Sequence, residues 1–200
     1  AFILFHILFH KKSCRTDVGS FFALKGEVMV QELYAMRYDS PVGQLLVVEK
    51  EKALAGLWIE GQKYYPVFRP GELQERADTD TLNHVKDWLD RYFAGKRPSI
   101  EELPLAPSGT EFRMAVWKLL CEIPYGEVAT YGEIAGKITS QRGTGKTSAR
   151  AVGGAVGHNP ISIIIPCHRV MGADGSLTGY AGGVEKKKKL LEIERQEHQA

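Results

Sequence analysis

ISIIIPCHRV, residues 161–170, is the stretch of sequence on which the predicted fold depends. Residues 161–164 are mostly β-branched and predict a buried strand. Pro166 cannot donate to a sheet, so the chain is expected to leave the strand there. Cys167 and His168 follow, and an imidazole can take the proton of a thiol, so we expect a sulfur held as a nucleophilic anion. A Cys-His dipeptide alone is weak evidence for catalysis, and the rest of the chain has to support this interpretation.

The composition limits the class of protein. The chain has 200 residues, with 26 Lys and Arg against 24 Asp and Glu, so any surface that binds nucleic acid has to be local. This length suits one large or two small domains. The three cysteines are an odd number without C-x-x-C spacing, which argues against disulfides or a cysteine zinc site and favours a reducing compartment. We expect no metal, no cofactor and a cytoplasmic location, or a nuclear one in a eukaryote.

Residues 1–28 are expected to be a leader or a fusion remnant. Their apolar run precedes Lys11 and Lys12, whereas a secretory signal carries its positive charge first. Met29 is the expected natural start. No part of the chain reaches the roughly 20 apolar residues that span a bilayer, so no membrane association is expected.

Residues 29–100 are predicted to form a first domain of strands and one helix. An amphipathic helix over 79–94, capped by Asp78 or Asp80, is expected to cover a small sheet. Three short apolar segments predict that this sheet is an antiparallel meander: 33–38, 44–49 and 54–59.

Residues 101–109 are predicted to be a linker, and 110–197 a second, mostly helical domain. A helix capped by Thr110 comes first. Short helices over 131–138 and about 148–157 follow, joined by a polar, glycine-rich connection. Two short helices joined by a turn suggest a helix-turn-helix, although this turn is longer than usual.

The third helix of this domain breaks local rules. Gly153 and Gly154 lie inside it, and each interior glycine costs about 1 kcal/mol relative to alanine. Arg150 stands in its first turn, where the helix dipole disfavours a cation. Such violations indicate either a functional surface or a tight helix–helix contact with Arg150 in a salt bridge, and this stretch does not decide between them.

The last predicted helix, 184–195, places Glu194 on the same face as Leu191. A buried carboxylate needs a partner, and His168 is an attractive one. The alternative is that Glu194 lies near the chain end in solvent. The lysines at 186–189 are expected to form a solvated face, unless this helix lies near DNA.

Together these segments resemble the O6-alkylguanine-DNA alkyltransferase family, also called methylated-DNA–protein-cysteine methyltransferases. The resemblance is strong from Gly109 to Glu194 and looser from Met29 to Gly95. It implies an α/β (α+β) fold of two domains, a small antiparallel sheet with a helix of the ribonuclease H type and then a winged helix-turn-helix-like domain. The matching segments are YGEVATY at 125–131, ARAVGGA at 149–155, NP at 159–160, IPCHRV at 165–170, GY at 179–180, and Leu190, Leu191 and Glu194.

The resemblance implies DNA repair by irreversible transfer of an alkyl group from O6 of guanine, or O4 of thymine, to Cys167. Each molecule acts once, on a base flipped out of the duplex. In such a site His168 removes the thiol proton through a water, and Glu194 orients His168. Tyr131 donates to the departing guanine, and Asn159 ties the turn before the cysteine.

The implied partner is double-stranded DNA carrying O6-alkylguanine, bound by a monomer. Arg150 is expected to fill the gap left by the extruded nucleotide, since a thin helix can enter the minor groove and wedge the stack. The other implied DNA-binding residues are Ala149, Ala151, Gly153, Gly154 and Thr130. The implied guanine pocket is lined by Tyr131, Val170, Tyr180, Ala181 and Arg169. Ala181 replaces a serine often found in the family, and 142–147 expands the connection before Arg150.

Other classes of protein fit the chain less well. A lesion-binding protein of the alkyltransferase-like type lacks the acceptor cysteine, which is present here as Cys167. A winged-helix transcription regulator does not explain Cys167, His168 and Glu194 together, and a cysteine hydrolase requires repeated turnover. The stretch 142–147 ends in Gly145-Lys146-Thr147, as a phosphate-binding loop does. Such a loop also needs a glycine five residues before Gly145, where this chain has Ser140, so nucleotide hydrolysis is rejected.

Overall fold

The computed structural model describes residues 32–143 and 145–195. The predictions for the leader, 1–28, and for a start at Met29 lie outside the described residues. Along the described chain, a sheet with one helix is followed by four further helices. In these two described ranges, no helix has both the length and the apolar composition that crossing a membrane requires.

The first half forms the predicted antiparallel meander. Its strands are β1 (Leu33–Ser40), β2 (Gly43–Lys50) and β3 (Ala53–Ile59). β2 pairs antiparallel with both neighbours, and Met36 of β1 lies opposite Val47 of β2. A short strand, β4 (Leu73–Glu75), adds parallel to β1 and completes the order β3-β2-β1-β4. β4 was not predicted, because three residues in a loop show no periodicity.

The predicted helix, α1 (Asp80–Phe93), packs against this sheet. Its N-cap is Thr79, so the prediction of Asp78 or Asp80 is wrong. Thr79 has extended backbone angles and its side chain accepts the backbone N–H of Leu82, whereas Asp80 already lies in the first turn. The buried residues recur at helical spacing and are Thr81, Leu82, Val85, Trp88, Leu89 and Tyr92.

The second half contains the remaining helices. They are α2 (Glu111–Cys121), α3 (Tyr131–Arg142), α4 (Ala149–Gly157) and α5 (Val184–Arg195). Two-residue strands β5 (Ala129–Thr130) and β6 (Val170–Met171) pair in parallel. The predicted end of α3 at Ile138 is wrong: the helix continues to Arg142 and ends at Gly143, which has a φ of 68°. The last turn is entirely polar and contains Thr139 and Ser140, which are weaker helix formers, so its sequence indicates part of the loop that follows.

The predicted strand over 161–164 is also wrong. Ile161 makes a single parallel bridge to Leu57 of β3, and the chain then turns. Ile163 has a φ of 72°, outside the strand region. The apolar side chains are buried as predicted, but in a turn packed into the core, since periodicity cannot separate a short buried strand from other buried segments.

The two halves share one hydrophobic core. It contains Leu57 of β3, Leu89 of α1, Leu120 of α2 and Val156 of α4. The segment predicted as a linker, 101–109, runs beside β3, because the backbone N–H of Leu54 donates to Pro104 O and Leu54 O accepts from Ala106 N. The turn that carries the cysteine therefore lies where the sheet half meets the helical half.

Candidate active site

Cys167 begins a short 3-10 turn directly after Pro166, and only 3% of the residue is exposed. Burial raises the pKa of the Cys167 thiol to about 11, although a hydrogen bond from Asn159 and the charge of Lys187 act in the opposite direction. The cysteine is therefore a thiol at neutral pH. The expectation of a sulfur held as an anion is wrong for this conformation, because these two neighbours do not offset the loss of solvation.

Asn159 holds the turn that precedes the cysteine. Its Nδ2 donates to Ile165 O at 2.7 Å and to Ile161 O at 3.2 Å, and its Oδ1 accepts from Ile161 N at 3.0 Å. The same Nδ2 lies 3.1 Å from Cys167 Sγ. A hydrogen bond from a neutral amide stabilises a thiolate more than a thiol, so Asn159 both shapes the turn and favours ionisation of the sulfur.

His168 and Glu194 form a buried pair, in agreement with the inward orientation predicted for Glu194. His168 Nε2 lies 2.7 Å from Glu194 Oε1, and both side chains are fully buried. Burial lowers the pKa of His168, and a carboxylate can only accept, so the neutral imidazole carries its hydrogen on Nε2. Its Nδ1 is then the basic nitrogen.

The Glu194 carboxylate is surrounded by donors. Burial alone raises the pKa of Glu194, but hydrogen bonds from His168 and Arg169 and the charges of these residues outweigh it, so the net pKa lies well below the usual range. The donors are His168 Nε2 (2.7 Å), Tyr92 Oη (2.8 Å), Arg169 Nη2 and Nε (3.0 Å each) and Gly126 N (3.0 Å).

The guanidinium of Arg169, a residue predicted to line the guanine pocket, is directed at Glu194. The residue is 5% exposed, and its guanidinium pairs with both oxygens of Glu194. Its Nη1 donates to Ile123 O at 2.6 Å. A buried carboxylate that is shielded from solvent is stabilised by a cation beside it, and the planar guanidinium of Arg169 can donate to both carboxylate oxygens at once.

Two buried polar atoms close to the cysteine are left without a hydrogen-bond partner among the described residues. They are His168 Nδ1 and the hydroxyl of Tyr180. Buried polar atoms in native proteins are usually paired with protein groups or ordered water. These two atoms are therefore positions at which a water or a bound molecule can hydrogen-bond.

The predicted pocket beside Cys167 is closed in this conformation. The hydroxyl of Tyr131, the first residue of α3, donates to Thr178 O at 2.9 Å. Gly179 follows with a φ of 79°, and a Cβ at this position would lie 2.3 Å from the Tyr131 hydroxyl. The backbone N–H of Lys63 donates to Ala181 O at 2.9 Å, which ties the same segment to the first half. Residues 178–181 are therefore held on two sides, by α3 and by the first half of the chain.

The other predicted pocket residues lie around this closed mouth. Val170 is fully buried, and its carbonyl oxygen faces inward. Tyr180 is 9% exposed; burial raises its pKa well above the usual range, and a thiolate at Cys167 would raise it further. Tyr131 is partly buried, and burial raises its pKa to about 12. Tyr131 and Tyr180 thus lie close enough to Cys167 for a charge on its sulfur to act on both hydroxyl groups.

Helix α4 exposes the residues predicted to bind DNA. Ala149, Arg150, Ala151 and Gly154 are exposed, while Gly153 faces Tyr131. The opposite side of α4 is buried, and Trp117 Nε1 of α2 donates to Ala155 O at 2.9 Å. The tight helix contact is therefore made by the other side of α4, and Arg150 is not part of it.

A groove runs along α3 beside the start of α4. Thr130, the predicted DNA-binding residue at the start of α3, is its N-cap and accepts from Glu133 N at 3.1 Å. Of the predicted expansion at 142–147, Thr144 lies outside the described residues. The groove has a volume of about 750 Å³ and is lined by Gly132, Ala135, Gly136, Thr139, Ser140, Gly145, Lys146, Thr147, Ser148 and Ala149.

One functional candidate was missed in the lysine run. Lys187 is fully buried, so the prediction of a solvated face is wrong for this residue. Its ammonium donates to Val170 O and, at 3.0 Å, to Thr178 O. Burial lowers the pKa of Lys187 to about 8. Its spacing from the buried Leu190 and Leu191 was the available signal, because residues three and four apart share a helix face.

The comparisons with known proteins cover both halves of the chain. Residues 33–107 match the sequence model described as 6-O-methylguanine DNA methyltransferase, ribonuclease-like domain. Residues 111–196 match the one described as 6-O-methylguanine DNA methyltransferase, DNA binding domain. These matches agree with the predicted fold class, a ribonuclease-like sheet half followed by a helical DNA-binding half.

Proteins similar in sequence to this chain are named methylated-DNA–protein-cysteine methyltransferases. A methylated-DNA–protein-cysteine methyltransferase of Haemophilus influenzae is 42% identical over 163 residues, 82% of this chain and 87% of that protein. One of Methanosarcina barkeri is 46% identical over 163 residues, 80% of this chain and 97% of that protein. The crystal structure of Mycobacterium tuberculosis OGT in complex with DNA has a TM-score of 0.71 at 42% identity, and covers 81% of this chain and 93% of that one. The chain therefore belongs to the methylated-DNA–protein-cysteine methyltransferase family.

Proposed function

We propose that this chain repairs DNA by moving an alkyl group from O6 of guanine to the sulfur of Cys167. The Cys167 thiol loses its proton, the sulfur attacks the alkyl carbon, an S–C bond forms and the C–O6 bond breaks. The electron pair of that bond stays on guanine, which then takes up a proton. The observation that carries this proposal is a buried cysteine between the Asn159 amide and a histidine whose second nitrogen is held by Glu194. O4 of thymine is a second proposed substrate.

His168 is the proposed base. With its hydrogen on Nε2 directed at Glu194, its unpartnered Nδ1 can receive the thiol proton, and a water in that position links two side chains that are adjacent in sequence. The imidazolium that forms is stabilised by the negative charge of Glu194. Arg169 keeps Glu194 ionised throughout, so the carboxylate orients His168 without itself taking the proton.

The pKa of the Cys167 thiol, about 11, sets the free-energy cost of removing its proton. Ionising such a thiol at neutral pH costs roughly 5 kcal/mol, because each pKa unit corresponds to about 1.4 kcal/mol. The cost falls when the proton goes to His168, since the thiolate and imidazolium stay close together. The hydrogen bond from Asn159 and the positive charge of Lys187 are already included in this pKa, and without them the cost would be higher. Burial then keeps the thiolate poorly solvated and hence strongly nucleophilic.

Opening of the mouth is the proposed entry step for guanine. Freeing the segment 178–181 breaks the hydrogen bonds of Tyr131 and Lys187 to Thr178 O and of Lys63 N to Ala181 O, and it leaves the Tyr131 hydroxyl without its partner. The raised pKa of Tyr131 keeps this hydroxyl protonated, so it can donate to the departing guanine. The unpartnered Tyr180 hydroxyl, with Val170 and Ala181, is the proposed lining of the base pocket.

The exposed face of α4 is the proposed DNA-binding surface. Its small residues let the helix approach the floor of a groove, and Arg150 stands exposed at its start to fill the space of the extruded nucleotide. Flipping a base costs a few kcal/mol, and less for a damaged pair, which contributes selectivity. Ala149, Ala151, Gly153, Gly154 and Thr130 are the other proposed contacts. Contacts to phosphates make binding weakly sequence-specific and sensitive to salt.

The organisation of the chain is proposed on the same basis. We place the sheet half at 29–100, the linker at 101–109 and the alkyl-accepting half at 110–197, and we expect a monomer. A cytoplasmic location remains a prediction from the cysteine content.

The proposal is tested with duplex DNA that carries labelled O6-methylguanine. We expect one methyl group per chain, found on Cys167 by peptide mass spectrometry, and no further turnover because a thioether is not readily reversed. Cys167→Ala should retain DNA binding and take up no label. Binding without label in the unaltered protein would instead identify a lesion-binding protein, and repeated turnover would identify a hydrolase.

A further inference from the structure

Tyr92 of α1 reaches from the sheet half of the protein into the pair formed by His168 and Glu194. Its hydroxyl donates to Glu194 Oε1 at 2.8 Å and lies 3.3 Å from His168 Nε2. Tyr92 and Glu194 are separated by 102 positions in the sequence. The same oxygen, Oε1, therefore accepts both the tyrosine hydroxyl and the imidazole N–H.

The ring of Tyr92 has little freedom to turn away. It stacks on Trp88 with ring centroids 5.4 Å apart and an interplanar angle of 9°. Edge contacts come from Phe93 at 5.2 Å and Tyr125 at 5.9 Å. Trp88 is itself held, because its Nε1 donates to Ser99 O at 2.8 Å. A fully buried ring packed on several sides holds its hydroxyl at one place.

Tyr92 is one of three donors on Oε1, with His168 Nε2 and Arg169 Nη2, and it weakens the attraction of that oxygen for the imidazole. When a carboxylate oxygen shares its lone pairs among several donors, each donor is bound less strongly than if it were alone. Burial keeps the pKa of Tyr92 well above its usual range, so the phenol stays protonated and acts only as a donor towards this carboxylate. Tyr92 thus both fixes the position of Oε1 and limits how strongly Glu194 stabilises an imidazolium at His168.

We propose that Tyr92 is a positioning residue for alkyl transfer, which holds Glu194 so that His168 remains a neutral base with its hydrogen on Nε2. The inference rests on the proposed function and extends it, because it assigns part of the chemistry to the sheet half of the chain. The proton acceptor of the reaction is then completed only when the two halves are packed together.

The charged and titratable groups around His168 define the expected pH effect. Glu194 and Tyr92 face its Nε2 directly, while the cations Arg169 and Lys187 disfavour the imidazolium. In Tyr92→Phe the cations and the burial are unchanged, but Glu194 loses one donor. More of the carboxylate charge then acts on the imidazole, so the protonation midpoint of His168 should rise.

The first test is a pH titration of the DNA-free protein labelled with 15N-histidine, with the His168 signal assigned from His168→Gln. We expect the unaltered protein to show the neutral tautomer protonated on Nε2. In Tyr92→Phe the midpoint should move upwards by about one pH unit, the size expected for the loss of one hydrogen bond to a charged group. An unchanged midpoint and tautomer would overturn the role of Tyr92.

The second test measures single-turnover methyl transfer across pH. The acid side of the rate profile of Tyr92→Phe should move upwards by the same amount, so that transfer on the acid side of the profile is several-fold slower than in the unaltered protein. Tyr38→Phe is the matched control. The Tyr38 hydroxyl also donates to a carboxylate, that of Asp90 on α1 at 2.8 Å, but this hydrogen bond is exposed and both residues are far from Cys167 in the sequence. The profile of Tyr38→Phe should stay in place.

The outcomes separate the two proposals. Failure of the unaltered protein to transfer methyl would remove the proposed function, whereas normal transfer with an unshifted Tyr92→Phe profile would remove only this inference. If Tyr92→Phe does not fold, the test is made by NMR on the unaltered protein. The Tyr92 hydroxyl proton should exchange slowly with water and show a nuclear Overhauser effect to the Nε2 hydrogen of His168. Fast exchange of that proton would contradict the inference.

Discussion

The substitution Glu194→Gln removes the charge of the buried carboxylate and keeps its shape. Glu194 accepts hydrogen bonds from five donor atoms, and two of them belong to Arg169, which is 5% exposed. The glutamine amide nitrogen would face Gly126 N–H and an Arg169 N–H, so donors would meet donors. Removing one member of a buried ion pair costs about 3–5 kcal/mol, which is a large share of the roughly 5–15 kcal/mol that stabilises a typical domain.

Urea unfolding followed by tryptophan fluorescence measures this loss, because Trp88 and Trp117 are both buried. Glu192→Gln is the matched control on the same helix: Glu192 pairs with Lys188 at 3.9 Å, and both side chains are more than half exposed. Such surface pairs contribute up to about 1 kcal/mol. Equal and small losses in the two variants would refute the reasoning that Glu194 is charged in the folded protein.

The pH dependence gives an independent check of the same prediction. The pKa of Glu194 in the folded protein lies well below the unfolded value of about 4.3. A depressed pKa contributes stability that is present above the unfolded pKa and is lost as the pH falls through the folded pKa. The stability difference between the unaltered protein and Glu194→Gln should therefore be constant above about pH 5 and shrink at lower pH. A difference that grows towards low pH would contradict this sign.

Further predictions concern the cysteine, the closed mouth and the DNA. Lys187→Met should raise the pKa of the Cys167 thiol and slow its reaction with iodoacetamide, followed by mass spectrometry of the cysteine peptide. The reason is that the thiolate fraction falls about tenfold when the thiol pKa rises by one. Gly179→Ala should strain a φ of 79°, push against the tyrosine hydroxyl at the start of α3 and make the thiol more accessible to the same reagent. Arg150→Ala should slow repair in duplex DNA much more than attack on the free base, measured by single-turnover methyl transfer.

Each of these substitutions has a comparison that isolates its cause. Lys188→Met removes an exposed lysine of the same helix and should leave the thiol unchanged. Gly175→Ala carries the same backbone strain, with a φ of 80°, but meets no atom within 4 Å, so a gain in accessibility in this variant too would assign the effect to strain alone. Equal slowing of duplex repair and free-base attack in Arg150→Ala would remove its role as a wedge.

Much of the secondary structure of this protein could be predicted from its sequence. The meander of β1–β3 and helices α1 and α5 follow from side-chain periodicity, which depends on residues a few positions apart. The inward direction of Glu194 follows in the same way, whereas Cys167 and His168 were identified as an adjacent pair and through the resemblance to a family. Residues 161–164 show the limit of this method, because an apolar run indicates burial but not whether the buried backbone is a strand or a turn.

The state of the site was decided by tertiary structure. Whether Cys167 is a thiol or a thiolate depends on its burial and on Asn159 and Lys187, which only the packed chain brings to the sulfur. The partners of Glu194 come from three separate parts of the chain, and Tyr92 lies 102 residues away from it. Side-chain type and spacing along the sequence thus identify which groups can react. Their protonation, access and orientation are properties of burial and long-range contact, which no short stretch of sequence contains.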